Sequence, residues 1–226
     1  MPRIAGWTEQ HPAVLERIDA DGVYVADGRR VPVRVRMPFQ WMRQQMRDRL
    51  PGTTGRVPIW LTTKPTLQRR RLCTWSCAGA TAGRWPLCNL AHITPGKTWM
   101  RLSLPAERVL LSDFELWDRY VIRGRYVPED ADDEARWERR VGRRLGLVHG
   151  AAIPPVERSW PDGLIAELIG SWPRIFDVLD SASVQGAFER LDRPDVKDVV
   201  HGPEPGELHP VWRRSPTSPY GWRNSR

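Results

Sequence analysis

Apolar residues recur at helical spacing in two segments of the first quarter of the chain. The segment from Pro12 to Ala20 carries apolar residues on one face and stops before Gly22, a residue suited to the turn that ends a helix. A second apolar stripe follows Pro38, a residue that fits the first turn of a helix. It consists of Phe39, Met42, Met46 and Leu50. The two patterns predict two helices, each with one buried face.

The second half of the chain carries further helix signals. Ser112 and Glu115 have the spacing of a capping box, which predicts a helix that starts at Asp113. Between residues 129 and 145 the acidic residues come first and the arginines last, an order that complements the helix dipole. Two more helices are predicted over residues 159–169 and 171–179.

Short apolar or alternating segments predict strands between these helices. Residues 31–36 alternate apolar and polar positions, and residues 57–62 form a short apolar run. Similar patterns predict strands near residues 4–8, 98–104, 108–111, 184–188 and 196–200. This order of elements predicts an α+β fold, with a small mixed or antiparallel sheet and flanking helices.

Length and composition indicate one main domain. The chain has 226 residues, of which 40% are hydrophobic and 27% charged, as in globular proteins. We expect a single α+β domain over residues 1–201, a cysteine-bearing insertion over residues 72–97 and a flexible tail over residues 202–226. No apolar run is long enough for a membrane span and no secretory signal is evident, so we expect a cytoplasmic protein that does not bind membranes.

The charge is unevenly distributed along the chain. The formal net charge is +8, and nearly all cations are arginines, because the only lysines are Lys64, Lys97 and Lys197. The excess of cations belongs to the first half, and Arg69, Arg70 and Arg71 form its densest point. Arginine binds phosphate with a planar fork and stacks on rings, so this half predicts contacts with nucleic acid or another polyanion. An exposed and solvated loop remains the alternative for the arginine triplet.

All three cysteines lie close to a histidine, in the pattern Cys73-x3-Cys77-x10-Cys88-x3-His92. Three thiolates and an imidazole can complete a tetrahedral shell around a structural zinc ion. The alternative is that the cysteines are small buried apolar residues without a metal. If zinc is bound there, four protein ligands leave no open position for catalysis.

Three sequence blocks together resemble an uncharacterised family of bacterial domains of unknown function. They are VPIW at residues 57–60, ERVLLSDFELW at residues 107–117 and SWPRIFD at residues 171–177. The resemblance covers residues 4–201, and the cysteine segment is longer than the family pattern. It implies a fold relationship and no activity.

The order of elements also resembles ADP-ribosyltransferase-like domains. A first strand precedes a helix closed by glycine, a later strand ends in hydroxyl residues, and a late strand carries Gln185. The resemblance implies an NAD-dependent transferase with Gln185 as catalytic residue. It implies a cofactor-binding set of Trp7, Thr8, Trp60 and Thr62. The sequence departs from that pattern because Gln185 stands where a carboxylate is usual, and a glutamine cannot act as a base. A non-catalytic nucleic-acid or protein binding module is the alternative function.

The zinc hypothesis has a direct test. We expect purified protein to carry about one equivalent of zinc per chain, because deprotonated thiolates bind the ion tightly. Replacing Cys88 by Ser should lower the metal content, whereas His149→Ala, outside the pattern, should not. Elemental analysis that finds no metal in the purified protein would contradict the hypothesis.

Overall fold

The computed structural model describes residues 1–63, 96–147, 156, 160–178, 181 and 183–201. Its helices are α1 (Pro12–Asp21), α2 (Arg36–Arg49), α3 (Phe114–Arg119), α4 (Ala131–Arg144) and α5 (Asp162–Ser171). Its strands are β1 (Arg3–Gln10), β2 (Val23–Val25), β3 (Ile59–Thr62), β4 (Thr98–Pro105), β5 (Leu110–Asp113), β6 (Val184–Phe188), β7 (Arg190–Asp192) and β8 (Val196–His201). Nearly all of the predicted cysteine-bearing insertion, and the whole of the predicted tail, lie outside the described residues.

The main sheet has six strands in the order β5-β6-β3-β1-β4-β8, and every neighbouring pair is antiparallel. Strands β2 and β7 form a separate two-stranded ribbon. Helices pack on both faces of the sheet, so the predicted α+β fold is confirmed. No helix in the described part of the chain is long and apolar enough to cross a membrane.

The six-stranded sheet is almost divided into two halves. Strand β1 pairs with β4 without interruption from Arg3 to Gln10. On its other side β1 pairs with β3 at a single position, where Trp7 faces Thr62. The half formed by β5, β6 and β3 therefore meets the half formed by β1, β4 and β8 at one narrow junction.

Glycines allow the strands to approach each other at this junction. The side chain of Leu61 in β3 is fully buried and lies over two glycines, Gly6 in β1 and Gly186 in β6. A Cβ atom on Gly6 would lie 2.4 Å from Leu61 Cδ1 and 2.8 Å from the backbone oxygen of Thr62. Such distances are too short for any larger residue, so the spacing of β1 and β3 requires glycine at position 6.

The two faces of the sheet bury different cores. We call the face that carries Trp7, Thr62 and Gln185 the front face, and the opposite one the back face, since side chains alternate along a strand. Helices α2, α3, α4 and α5 pack mainly on the β5-β6-β3 half of the front face. Helix α1 packs on the back face against β1, β3 and β4.

The SWPRIFD block, one of the three that carry the family resemblance, joins α5 to α4. Arg174 donates to the carbonyl of Val127 and forms ion pairs with Glu129 at 2.8 Å and with Asp133 at 3.6 Å. Asp133 also accepts hydrogen bonds from the Glu129 N–H and the Tyr126 hydroxyl, both at 3.0 Å. The Glu129 N–H, then the Tyr126 hydroxyl and Arg174, hold the pKa of Asp133 below its ordinary value. Arg174 therefore has a structural role.

The prediction of a strand over residues 31–36 is wrong. Two short 3₁₀ turns, Gly28–Arg30 and Val33–Val35, occupy this region, and α2 begins at Arg36. Pro32 has no backbone N–H, and its carbonyl accepts a turn hydrogen bond from Val35 at 3.0 Å. The side chain of Val33 is exposed, so the alternation does not mark a buried face.

Other expectations about the helices need smaller corrections. The N-cap of α3 is Asp113, whose side chain accepts from the Leu116 N–H at 2.8 Å, whereas Ser112 belongs to strand β5. The predicted separate helix over residues 171–179 is a 3₁₀ turn, Trp172–Phe176, continuous with α5. Pro173 lacks the N–H that a continuing α-helix requires. The ribbon of β2 and β7 was not predicted, because three-residue strands leave little periodicity.

Replacing Gly6 by Ala tests the junction of the two half-sheets. We expect a loss of about 1–3 kcal/mol of unfolding free energy, because the added methyl group meets the backbone of Thr62. The matched control is Gly170→Ala in α5, where a methyl group meets no atom within 4 Å. That variant should gain about 0.5–1 kcal/mol from helix propensity. Equal denaturant midpoints for wild type and Gly6→Ala would contradict the packing argument.

Candidate functional site

Polar and aromatic residues form a transverse row on the front face, across four adjacent strands. Trp7 of β1 lies opposite Thr62 of β3, Thr62 opposite Gln185 of β6, and Gln185 opposite Ser112 of β5. Directly paired residues of antiparallel strands have their side chains on the same face, roughly 5 Å apart at Cβ. The pairing therefore brings together residues that are far apart in sequence.

Gln185 is the most constrained polar residue of the row. Its side chain is buried, with 3% exposure, and its Nε2 donates to the Ser112 hydroxyl at 3.3 Å. Within the described residues its side-chain oxygen accepts no hydrogen bond. Thr62 lies beside it, and the Thr62 hydroxyl donates to the Trp7 carbonyl at 3.3 Å. The hydrogen bond to Ser112 therefore orients the Gln185 amide, whose oxygen has no described partner.

Three aromatic rings form the floor beside this row. The rings of Trp60 and Trp117 lie 4.6 Å apart at an angle of 40°. Phe39 of α2 meets Trp60 edge-on at 6.4 Å and Trp117 at 6.1 Å. These contacts bring one residue each from α2, β3 and α3 into a single packed cluster, which we call the aromatic floor.

A cleft of about 490 Å³ opens above the aromatic floor, where the helical layer ends. This volume falls within the usual range for small-molecule sites. Thr62 and Gln185 reach the cleft, and other residues that line it are Trp7, Trp60, Trp99, Phe114, Glu9 and Asp118. Both carboxylates are exposed. Asp118 forms an ion pair with Arg123 at 3.7 Å, whereas Glu9 forms none with a described residue.

The structure brings together four of the five residues proposed for catalysis or cofactor binding. Trp7, Trp60, Thr62 and Gln185 all line the cleft. Thr8 does not, because neighbouring residues of a strand point to opposite faces. Its side chain is buried at 1% exposure, and its hydroxyl accepts a hydrogen bond from the Gln10 amide at 2.8 Å.

Two other predicted sites fall outside the described residues. One is the zinc set of Cys73, Cys77, Cys88 and His92, and the other is the arginine triplet at residues 69–71. Among the described residues, no group of three or more His, Cys, Asp or Glu side chains is placed to hold a metal ion. Both sites stay predictions.

Sequence reasoning missed most of the residues that line the cleft, among them Glu9, Trp99, Phe114 and Asp118. A signal for Glu9 was present, since it lies two positions after Trp7 in the same strand and so on the same face. Trp99 lies directly opposite Glu9 in β4, a register that the sequence does not encode. Asp118 lies in the last turn of α3, where no periodicity or motif marks a cleft residue.

Exposed arginines are concentrated between residues 28 and 56. Between residues 28 and 56 the chain has eight arginines and one carboxylate, Asp48. Seven of these arginines are exposed and none forms an ion pair with a described carboxylate. They are Arg29, Arg34, Arg36, Arg43, Arg47, Arg49 and Arg56. We call this set the arginine surface.

The cleft is concave and mostly apolar with few polar groups, a combination that is common among ligand sites. The chain belongs to the family described as Domain of unknown function (DUF3841), whose model matches residues 6–194. The resemblance to a family of unknown function is thus confirmed. No curated protein and no solved structure matches the chain. None of these comparisons supports the resemblance to ADP-ribosyltransferase-like domains.

Proposed function

We propose that this chain is an ADP-ribosyltransferase-like enzyme that binds NAD in the front-face cleft and acts on a macromolecule. The observation that supports this proposal is the transverse row of Trp7, Thr62 and Gln185 on three adjacent strands. Those strands are the first strand, the hydroxyl-ended strand and the late strand that the resemblance implied. Their side chains reach one cleft, as an NAD-cleaving site requires.

The aromatic residues suit the nicotinamide end of the dinucleotide. Trp7 of β1 and Trp60 of β3 both line the cleft, beside the one point where the two strands pair. An aromatic ligand ring gains stacking and burial against indole faces. The Thr62 hydroxyl and the Gln185 amide oxygen are polar groups at the same level of the sheet, and they are suited to the ribose hydroxyls.

The reaction would break the bond between ribose C1′ and the nicotinamide nitrogen. The electron pair of that bond stays on the nitrogen, which turns the pyridinium ring into neutral nicotinamide. A hydroxyl or amine of the acceptor, or a water molecule, then bonds to C1′ and releases its proton to solvent. Gln185 would orient the ribose and face its developing positive charge with an amide dipole, and it would not take up the proton.

Replacing Gln185 by Ala tests this role. We expect NAD binding, measured by calorimetry, to weaken roughly tenfold, because one buried hydrogen-bond partner of the ligand is removed. Nicotinamide release in the presence of a competent acceptor should be lost. The control is Gln44→Ala on α2, a residue that contacts Asp48 and Arg47 away from the cleft. Wild-type protein that shows no heat of NAD binding would exclude the transferase.

The arginine surface favours the second candidate function, a module that binds nucleic acid or another polyanion. Seven exposed guanidinium groups without carboxylate partners among the described residues are available to phosphate oxygens. The arginine triplet at residues 69–71, also predicted to contact a polyanion, lies outside the described residues. The two functions are compatible, since a transferase needs an acceptor, but they are tested separately.

Salt dependence tests the polyanion contact. Replacing Arg29, Arg34 and Arg36 by Ala should reduce the slope of log affinity against log salt for duplex DNA by roughly 0.9 for each phosphate that the variant no longer neutralises. The matched control removes three exposed arginines of α4, Arg139, Arg143 and Arg144, and should leave the slope closer to that of the wild type. If the wild type binds neither DNA nor heparin at low salt, the function as a polyanion-binding module is excluded.

A further inference from the structure

Glu9 is the one carboxylate in the cleft that forms no ion pair with a described residue. It is exposed, lies on the front face two residues beyond Trp7, and makes no ion pair or side-chain hydrogen bond with a described residue. The other cleft carboxylate, Asp118, forms an ion pair with Arg123, and Arg123 also donates a hydrogen bond to the Asp118 backbone carbonyl. Among the described residues of the cleft, only Glu9 therefore offers an unpaired negative charge to a ligand.

The position of Glu9 follows from the separation of the half-sheets. Strand β1 continues its register with β4 past the junction, so Glu9 lies opposite Trp99. On the β3 side the pairing has ended at Trp7, and a continued register would have placed Glu9 opposite Trp60. Glu9 therefore lies beside Trp99 at the point where the pairing of β1 and β3 has ended, and Trp60 lines the same cleft.

An unpaired carboxylate among indole rings is suited to an organic cation. The faces of aromatic rings attract cations through their quadrupole, and tryptophan is the most effective of them. A carboxylate within the same cleft adds direct charge attraction, strengthened where the rings exclude water. A neutral ring of the same shape would gain the stacking but not the charge interaction.

We propose that Glu9, together with Trp7, Trp60 and Trp99, selects a ligand with a positively charged aromatic ring. The inference rests on the proposed function and deepens it: the site would take the oxidised dinucleotide, with its pyridinium ring, in preference to the reduced one. Cleavage of the glycosidic bond leaves the ring neutral, so its attraction to Glu9 ends and nicotinamide dissociates. Glu9 is thus a residue that determines specificity, distinct in role from Gln185.

The experiment compares four probes on the full-length protein by calorimetry or tryptophan fluorescence. They are NAD⁺, NADH, the N1-methylnicotinamide cation and neutral nicotinamide. We expect the wild type to bind each cationic probe about tenfold more tightly than its neutral counterpart. Glu9→Gln should remove most of this preference while the affinity for NADH stays the same. Asp118→Asn is the matched control and should keep the preference, because its carboxylate already has a partner.

The outcomes separate this inference from the proposed function. Equal affinity of the wild type for the charged and neutral probes, or an unchanged preference in Glu9→Gln, would overturn the role of Glu9 while NAD binding itself still stands. If neither dinucleotide binds but the methylnicotinamide cation does, the transferase fails and the cation site stands. If no probe binds, both fail. Glu9 is exposed, so we expect Glu9→Gln to melt at the wild-type temperature, which confirms that a change in binding is local.

Discussion

The side chain of Leu61 packs over two glycines in neighbouring strands, and the geometry of the sheet depends on this contact. Gly186 lies directly opposite Leu61 in β6, and Gly6 lies on the other side in β1. Because both neighbours lack a Cβ atom, β3 can lie close to each strand while burying a large side chain on the back face. The close approach is limited to this point, since β1 and β3 pair only at Trp7 and Thr62.

The cleft is a consequence of that limited pairing. Once β1 and β3 separate, the front face can no longer be covered as a continuous surface. The helical layer covers the β5-β6-β3 half and ends at the aromatic floor of Phe39, Trp60 and Trp117. The side chains beyond that edge, Trp7 and Glu9 among them, are left beside an open cavity. The cavity on the front face therefore lies beside the one point where β1 and β3 pair, which on the back face is the contact of Leu61 with Gly6.

Some charged side chains among the described residues are paired within the fold, and others are not. Several carboxylates are held by the fold: Asp195 by Arg3 and Arg108, and Glu189 by the N–H groups of Thr54 and Arg56. Such buried carboxylates contribute to the structure because each has hydrogen-bond donors that replace water. The residues of the arginine surface and Glu9 form no ion pair with a described residue. They therefore have charge available for a ligand, positive on the arginine surface and negative at Glu9.

Local sequence determined most of the elements. Helical stripes and glycine stops predicted α1 and α2, and α1 does end at Gly22 in the left-handed conformation, with its N–H bonded to Ile18. Short apolar runs predicted β3 and β6, because a buried strand needs only a few apolar residues. The same reasoning failed at residues 31–36, where alternation without a partner strand gave 3₁₀ turns. Alternation of apolar and polar residues indicates a strand face that could be buried. Whether that face is buried depends on a neighbouring element that packs against it.

Only the tertiary structure decided which residues share the cleft. The resemblance placed Trp7, Thr8, Trp60, Thr62 and Gln185 in one site. The pairing of β1, β3 and β6 brought Trp7, Thr62 and Gln185 into a row, with Trp60 in the same cleft, while it turned Thr8 to the back face. Glu9 and Trp99 joined the site through the β1–β4 register, which is set by long-range hydrogen bonds. Periodicity along the chain determines which face a residue belongs to within its own strand. The neighbours on that face depend on strand order and register, and these follow from packing of the whole sheet.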